Sequence, residues 1–130
     1  MLLNTYQTNL ILIIEKYVDN GYILSFSFAV DARSDYIGFI HGCLEFIHGS
    51  RLYFKEYVDL QDSSVKLSYS FHYQCPDNRL IFRYDNARHK PDLEYSDHKH
   101  TDNTIMPANI PALEDVILEI INQHLIDNKN

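Results

Sequence analysis

The spacing of apolar residues predicts a helix near the N-terminus. Apolar side chains recur at three- and four-residue intervals over residues 3–17, which places them on one face of an α-helix. We therefore predict a helix over residues 5–18, with Asn4 and Gln7 at the spacing of a capping box. The run Ile11–Ile14 fits a strand as well, so a strand remains the alternative for this segment.

After Gly21 the pattern changes to a period of two, which predicts β-strands. Turn residues separate the alternating segments, so we expect neighbouring strands to pair as antiparallel hairpins. In the first strand we expect an apolar face containing Leu24 and Phe26. The predicted strands are 23–30, 36–47, 51–58, 65–74 and 79–84.

The C-terminal part of the chain divides into a polar stretch and a second helix. Periodicity is lost between residues 85 and 110, and we expect no regular structure there. Pro111 then fits the first turn of a helix. The apolar stripe of this helix consists of Leu113, Val116, Ile117, Ile120, Ile121 and Leu125.

These elements predict an α+β fold. We expect a single antiparallel sheet of about five strands with an N-terminal and a C-terminal helix, forming one domain over residues 1–130. If both helices cover the same face, the other face of the sheet stays open to solvent. We expect a functional site on that open face.

Composition excludes several classes of protein. The chain has only four Gly and four Pro, and its longest apolar run has five residues, so low-complexity and membrane-spanning segments are not indicated. Two cysteines and no export signal predict free thiols and a cytoplasmic protein. The net charge of −7 argues against indiscriminate binding of nucleic acid. Motifs of phosphate-binding loops, dinucleotide folds, zincins and serine hydrolases are absent from the sequence.

The last predicted hairpin contains candidate catalytic residues. His72 and Arg83 lie on its two strands at positions that can approach each other, and Asp85 ends the return strand. An imidazole, a guanidinium and a carboxylate at one strand end suit acid–base chemistry on an anion. An ordinary hairpin with a polar outer face would give the same pattern.

A second cluster lies in the locally basic stretch that follows. His98 and His100 flank Lys99, and His89 precedes them by nine residues. Two imidazoles and a cation are what metal-independent cleavage of a phosphodiester requires. The same His-x-His spacing can bind a metal with His89 or Asp85 as third ligand, and a solvated loop is the third interpretation. We expect no tightly bound zinc and no cofactor.

Two further observations leave alternatives open. Glu56, near the end of the third predicted strand, could orient an imidazole or pair with Arg83. The ten tyrosines fit stacking on unpaired bases, but they fit packing of the core and of interfaces equally well.

Four blocks of sequence resemble the TumE family of small bacterial toxins. Their order and spacing match the family over about residues 54–100, and the run L-I-F-R-Y-D-N-A-x-H-x-P followed by H-K-H is the most specific part. The chain has His-Lys-Pro at 89–91, where family members often have His-His-Pro. The four blocks are 54–59, 69–74, 80–91 and 98–100.

The resemblance implies the toxin of a two-gene toxin–antitoxin pair, with a small helix-turn-helix antitoxin as partner. We hypothesise that the toxin is a metal-independent endoribonuclease that acts on cellular RNA, with ribosome-associated RNA as one candidate substrate. A second copy of the chain is a further candidate partner. A non-catalytic RNA- or protein-binding module is the alternative, and a metal-dependent nuclease using His89, His98 and His100 is the third option. The expected catalytic residues are His72 with His98 or His100 as acid and base, Arg83 and Lys99 on the phosphate, Asp85 or Glu56 orienting an imidazole, and His89.

Overall fold

An antiparallel sheet, whose strands are ordered as the chain runs, forms the frame of the protein. The computed structural model describes residues 1–62, 65–87 and 96–126. Within these ranges the protein has two α-helices and seven strands, and each strand pairs with its neighbours in sequence. The elements are α1 (Leu3–Asp19), β1 (Ile23–Ala32), β2 (Ile37–Phe46), β3 (Arg51–Asp59), β4 (Val65–Gln74), β5 (Leu80–Asp85), β6 (His98–His100), β7 (Ile105–Pro107) and α2 (Leu113–Ile120), which continues as a π-helical turn over Ile121–Leu125.

The predicted α+β class is confirmed, and the number of strands is corrected from about five to seven. The expectation of no regular structure between residues 85 and 110 was wrong, because β6 and β7 lie in this stretch. Each is only three residues long, and β6 is entirely polar, so neither shows an alternation that sequence analysis can detect. β6 is therefore a strand because it pairs with β5, and its own sequence does not indicate one.

The helix at the N-terminus is confirmed, but its predicted cap is not. The helix begins at Leu3, so Asn4 and Gln7 lie inside it, and the N-cap residue Leu2 makes no side-chain hydrogen bond. Instead, the Leu3 N–H donates to the backbone carbonyl of Asp35 at 2.8 Å. A tertiary contact with the turn before β2 thus satisfies one of the free N–H groups at the start of the helix.

Both helices lie on one face of the sheet, which we call the helix-covered face. Ile14 of α1 and Ile117 of α2 are completely buried in the same core as the side chains of this face. No described helix is long and apolar enough to cross a membrane. The central side chains of the helix-covered face are Ile40, Leu44, Leu52, Phe71, Tyr73 and Phe82.

The apolar face expected for the first strand is only partly buried. Phe28 and Val30 pack against the core, whereas Leu24 and Phe26 are 61% and 39% exposed. β1 is an edge strand, so the helices cover only part of it. The apolar face expected for this strand is therefore left largely uncovered at Leu24 and Phe26.

Three clusters of Tyr, Glu and Lys link the helices to the sheet or to each other. In one of them the Tyr84 hydroxyl and the Lys99 ammonium bind the two oxygens of Glu119 of α2, at 2.5 and 2.9 Å. Burial tends to lower the pKa of Lys99, but hydrogen bonds to Glu119 and Tyr84 raise it overall. Part of the tyrosine excess is therefore structural. The three clusters are Tyr6–Glu56–Lys66, Tyr17–Glu114–Lys16 and Tyr84–Glu119–Lys99.

Substitutions at two adjacent positions of α2 test this packing. We predict that Ile117→Ala lowers the free energy of unfolding by about 2–5 kcal/mol, because it leaves a cavity in the core. Leu118→Ala removes a side chain that is 40% exposed, and we expect a change within about 0.5 kcal/mol. Urea denaturation of both variants measures the difference, and equal losses would contradict the assignment of the buried face.

Candidate active site on the open face of the sheet

The register of the strands sorts the candidate residues between the two faces of the sheet. Directly paired residues share a face, and successive residues along a strand alternate. Two adjacent rows therefore cross the open face, the one opposite the helices. The first row contains Cys43, Tyr53, His72, Arg83 and His100, and the second contains His41, Lys55, Ser70, Asp85 and His98.

The carboxylate of Asp85 is the centre of this site. It is buried, and its Oδ2 lies 2.6 Å from Nε of Arg83 while its Oδ1 lies 2.5 Å from Nε2 of His98. His100 approaches the same carboxylate, with Nε2 at 3.8 Å from Oδ2. The prediction that a carboxylate, a guanidinium and imidazoles gather at this strand end thus agrees with the geometry.

The surroundings of Asp85 keep it ionised. Burial by itself raises the pKa of a carboxyl group, but hydrogen bonds from Arg83 and from the Ala87 N–H, together with the charge of His98, lower the pKa of Asp85 below its ordinary value. A buried anion needs such compensation, since an unpaired charge in the interior is very costly. Asp85 therefore acts as a fixed negative charge beneath the open face.

Both ring nitrogens of His98 face hydrogen-bond acceptors. Its Nδ1 lies 2.9 Å from the carbonyl oxygen of Ser96, and its Nε2 faces the Asp85 carboxylate. Both partners only accept hydrogen bonds, and these two contacts fix the orientation of the ring. His98 is completely buried, and its ring contacts that of His100 edge-on at 4.8 Å between centroids. His98 is thus a positioning residue that braces Asp85 and His100.

The ring of His72 has a hydrogen-bond donor on one side and an acceptor on the other. Nη1 of Arg83 lies 3.3 Å from its Nδ1, and Oε1 of Gln74 lies 3.1 Å from its Nε2. Arginine only donates, so Nδ1 is the acceptor and Nε2 carries the hydrogen. Burial lowers the pKa of His72, and the charge of Arg83 lowers it further, against the opposing hydrogen bond to Gln74. His72 is therefore a neutral imidazole with a lone pair on the side of Arg83.

Three predicted site residues are not placed in this cluster. Glu56 lies on the helix-covered face, where it binds the hydroxyl of Tyr6 and, at 2.9 Å, the ammonium of Lys66. Lys99 points to the same face, between His98 and His100 in sequence but on the other side of the sheet. The expectation that Glu56 orients an imidazole and that Lys99 neutralises a phosphate is therefore wrong. His89 lies outside the described residues.

An open groove lies beside the cluster. Its two adjoining cavities of about 480 and 320 Å³ share Phe39, Lys55, Ser70 and Arg83 as lining residues. Sequence reasoning did not select Phe39, Tyr53 or Lys55, although the alternation of β3 already places Tyr53 and Lys55 on one face. The missing information was the register that sets Tyr53 opposite His72.

Among the described residues, Asp85, His98 and His100 also form a group that could hold a metal ion. One ligand atom from each lies within 4.8 Å of the others. Two imidazoles and a carboxylate suit Zn²⁺ and related metals. In the present geometry, however, His98 Nε2 and Asp85 Oδ1 contact each other directly at 2.5 Å, so binding would require them to separate.

The chain matches the model of a known protein family. The family model described as Toxin TumE matches residues 11–128, which include every residue of the cluster. No curated protein and no solved structure matches the chain.

The role of Asp85 can be tested by its pH dependence. Because its pKa is lowered in the folded state, the charged carboxylate stabilises the fold above the unfolded value of about 3.9, and this stabilisation is lost as the pH falls through the folded value. We predict that Asp85→Asn lowers the free energy of unfolding by about 1–3 kcal/mol at pH 7. Urea denaturation measures the effect, and the difference in free energy of unfolding between wild type and Asp85→Asn should become smaller at lower pH.

The matched control is Asp31→Asn, which changes an exposed aspartate paired with Arg33 at the surface. We expect it to change stability by less than about 0.5 kcal/mol at either pH. An Asp85→Asn deficit that is absent at pH 7, or equally large in acid, would contradict the electrostatic role of Asp85.

Proposed function

Since the chain belongs to the TumE family of toxins, we propose that it is the toxin of a type II toxin–antitoxin pair and that it cleaves cellular RNA without a metal ion. One observation carries the nuclease part of the proposal. His72, Arg83 and His100 occupy consecutive positions of one row on the open face, with the guanidinium in the middle. Two strand spacings of about 4.8 Å place the backbones of His72 and His100 about 10 Å apart, so a phosphate held by Arg83 would lie between the two side chains.

The two imidazoles are suited to opposite roles. His72 is neutral and offers Nδ1 as a base, and we assign the role of the acid to His100, which lies beside the carboxylate of Asp85. A phosphate that takes the guanidinium of Arg83 would also release Nδ1 of His72 from its present hydrogen bond. Substrate binding would thereby prepare the base.

The proposed reaction is an intramolecular transesterification, in which the 2′-oxygen attacks the adjacent phosphodiester. His72 accepts the proton of the 2′-hydroxyl as its oxygen attacks phosphorus, and His100 donates a proton to the departing 5′-oxygen. The products are a 2′,3′-cyclic phosphate and a free 5′-hydroxyl. Arg83 stabilises the additional negative charge of the transition state, and Asp85 holds Arg83 in position.

The acidic body of the protein supports a partner-dependent toxin. A net charge of −7 gives little general affinity for RNA, so the substrate would be reached through the local site or on the ribosome. The antitoxin that we propose is a helix-turn-helix protein, as the family resemblance implies. Co-purification of the chain with the product of the adjacent gene tests this pairing.

The outer edge of β1 supports a homodimer as part of the proposal. This edge strand is ten residues long and contains no proline or lysine, and its Leu24 is strongly exposed. Such an edge can pair with a second copy, and lysine typically prevents this. Leu24→Lys should therefore shift sedimentation towards a monomer, whereas Leu67→Lys, at an exposed leucine of β4, should not. A wild type that sediments as a monomer would contradict the dimer.

A metal-dependent nuclease is the second candidate, supported by the grouping of Asp85, His98 and His100. In that reaction a bound metal ion would activate water or stabilise the phosphate. Cleavage that is lost in EDTA and restored by a divalent cation would favour it. Binding of RNA without any cleavage would instead favour the non-catalytic module.

Substitution of the two imidazoles tests the acid–base reaction. We predict that His72→Ala and His100→Ala each lower the rate of RNA cleavage about 10²–10⁴-fold, the usual contribution of a general acid or base. Arg83→Lys should also weaken cleavage, because lysine lacks the planar, bidentate guanidinium. Cleavage of cellular RNA by purified protein, with EDTA present, is the measurement.

The matched control is Lys99→Met, next to His100 in sequence but on the helix-covered face. It should melt at a lower temperature and yet retain cleavage. Wild-type cleavage should decline on the acidic side as His72 becomes protonated, below its ordinary pKa of about 6.5. Full activity of both His variants, or loss of activity in Lys99→Met at a temperature where it is folded, would refute this assignment.

A further inference from the structure

A part of the open face on β2 and β3 is not used by the proposed reaction. It carries the half-buried Phe39, the exposed His41 and Lys55, and Tyr53, which is 42% exposed. These side chains line the larger cavity of the groove, which extends to His72 and Arg83. We call this set of four residues the aromatic subsite.

Tyr53 presents an aromatic ring to solvent from the middle of the sheet. β3 is an interior strand with a paired neighbour on each side, and Tyr73, on the adjacent strand but facing the helices, is buried. The Tyr53 ring lies beside that of His72, with centroids 6.4 Å apart and the planes inclined by 63°. A flat aromatic surface is therefore presented to solvent directly next to the proposed base.

We propose that the aromatic subsite binds the nucleotide adjacent to the scissile phosphate of a single-stranded RNA, with its base stacked on Tyr53 and its backbone near Lys55. The inference rests on the proposed function for the identity of the reacting phosphate. It adds the substrate class, because a base can stack on a protein ring only when it is not stacked in a duplex.

Size and charge agree with a nucleotide ligand. A cavity of about 480 Å³ is within the range of small-molecule sites, and its lining combines aromatic and cationic side chains. Phe39 and Tyr53 offer aromatic surface, while Lys55 and Arg83 offer two cations for phosphates in a protein that is otherwise acidic. Stacking of this kind tolerates any base, so we expect little sequence preference at this position.

Binding can be measured separately from cleavage with 2′-O-methyl oligouridylate, which is single-stranded and cannot react because its 2′-oxygen is blocked. We expect Tyr53→Ala to weaken binding about 5–150-fold, the range that corresponds to loss of one base–aromatic stack. Tyr53→Phe should bind like wild type, since it retains the ring. Fluorescence anisotropy with labelled RNA gives the dissociation constants.

The matched control is Tyr36→Ala, which removes a tyrosine of nearly equal exposure, 39%, from outside the groove. It should leave binding unchanged. An oligonucleotide series with one abasic position identifies the stacked nucleotide, because at that position Tyr53→Ala should cause no further loss. Equal affinities of wild type, Tyr53→Ala and Tyr36→Ala would overturn the subsite, as would a wild type that does not bind.

A parallel assay on the unmodified ribo-oligonucleotide separates this inference from the proposed function. Tyr53-dependent binding without cleavage of the ribo-oligonucleotide would support the subsite and refute the nuclease. Cleavage that is insensitive to Tyr53→Ala, with unchanged binding, would refute the subsite and support the nuclease.

Discussion

Successive side chains of a β-strand point to opposite faces of the sheet, and this constraint determines which residues of the chain can act together. In β6 it sends His98 and His100 to the open face and Lys99 to the helices. In β3 it separates Tyr53 and Lys55, which face the groove, from Glu56, which is buried under α1. Neighbours in sequence therefore serve different purposes, one stabilising the contact with the helices and the other forming the site.

The buried carboxylate of Asp85 holds the neighbouring polar side chains of the open face in position. Because Asp85 is ionised and hidden from water, Arg83 and His98 are held against it, and His100 is drawn to within 3.8 Å. The guanidinium in turn meets His72, which stays neutral partly because a positive charge lies beside it. One anion thus lies between two imidazoles with different surroundings, His72 beside a guanidinium and His100 beside the carboxylate itself.

Much of this arrangement could be predicted from the sequence. The helical stripe from Leu113 to Leu125 and the alternating strands up to Tyr84 contain enough repeats to reveal their period, and the turn between β4 and β5 places His72 opposite Arg83. β6 could not be predicted because three polar residues carry no period, so the face of Lys99 was unknown. Glu56 was misplaced for another reason. Its position continues the alternation of the apolar residues Leu52 and Phe54, which already places it on the buried face of β3. Its partner Tyr6 lies on a distant helix, and sequence spacing does not reveal such a contact.

The order of the strands follows the order of the chain, and this has a consequence for synthesis. Every pairing in the sheet joins neighbours along the sequence, so each hairpin can form as soon as its second strand has left the ribosome. The strands that carry His72, Arg83 and Asp85 are complete before β6 delivers His98 and His100, and α2 follows last. A nascent chain therefore exposes the arginine–carboxylate pair before it has His98 and His100, and the cluster is complete only after β6 has been made.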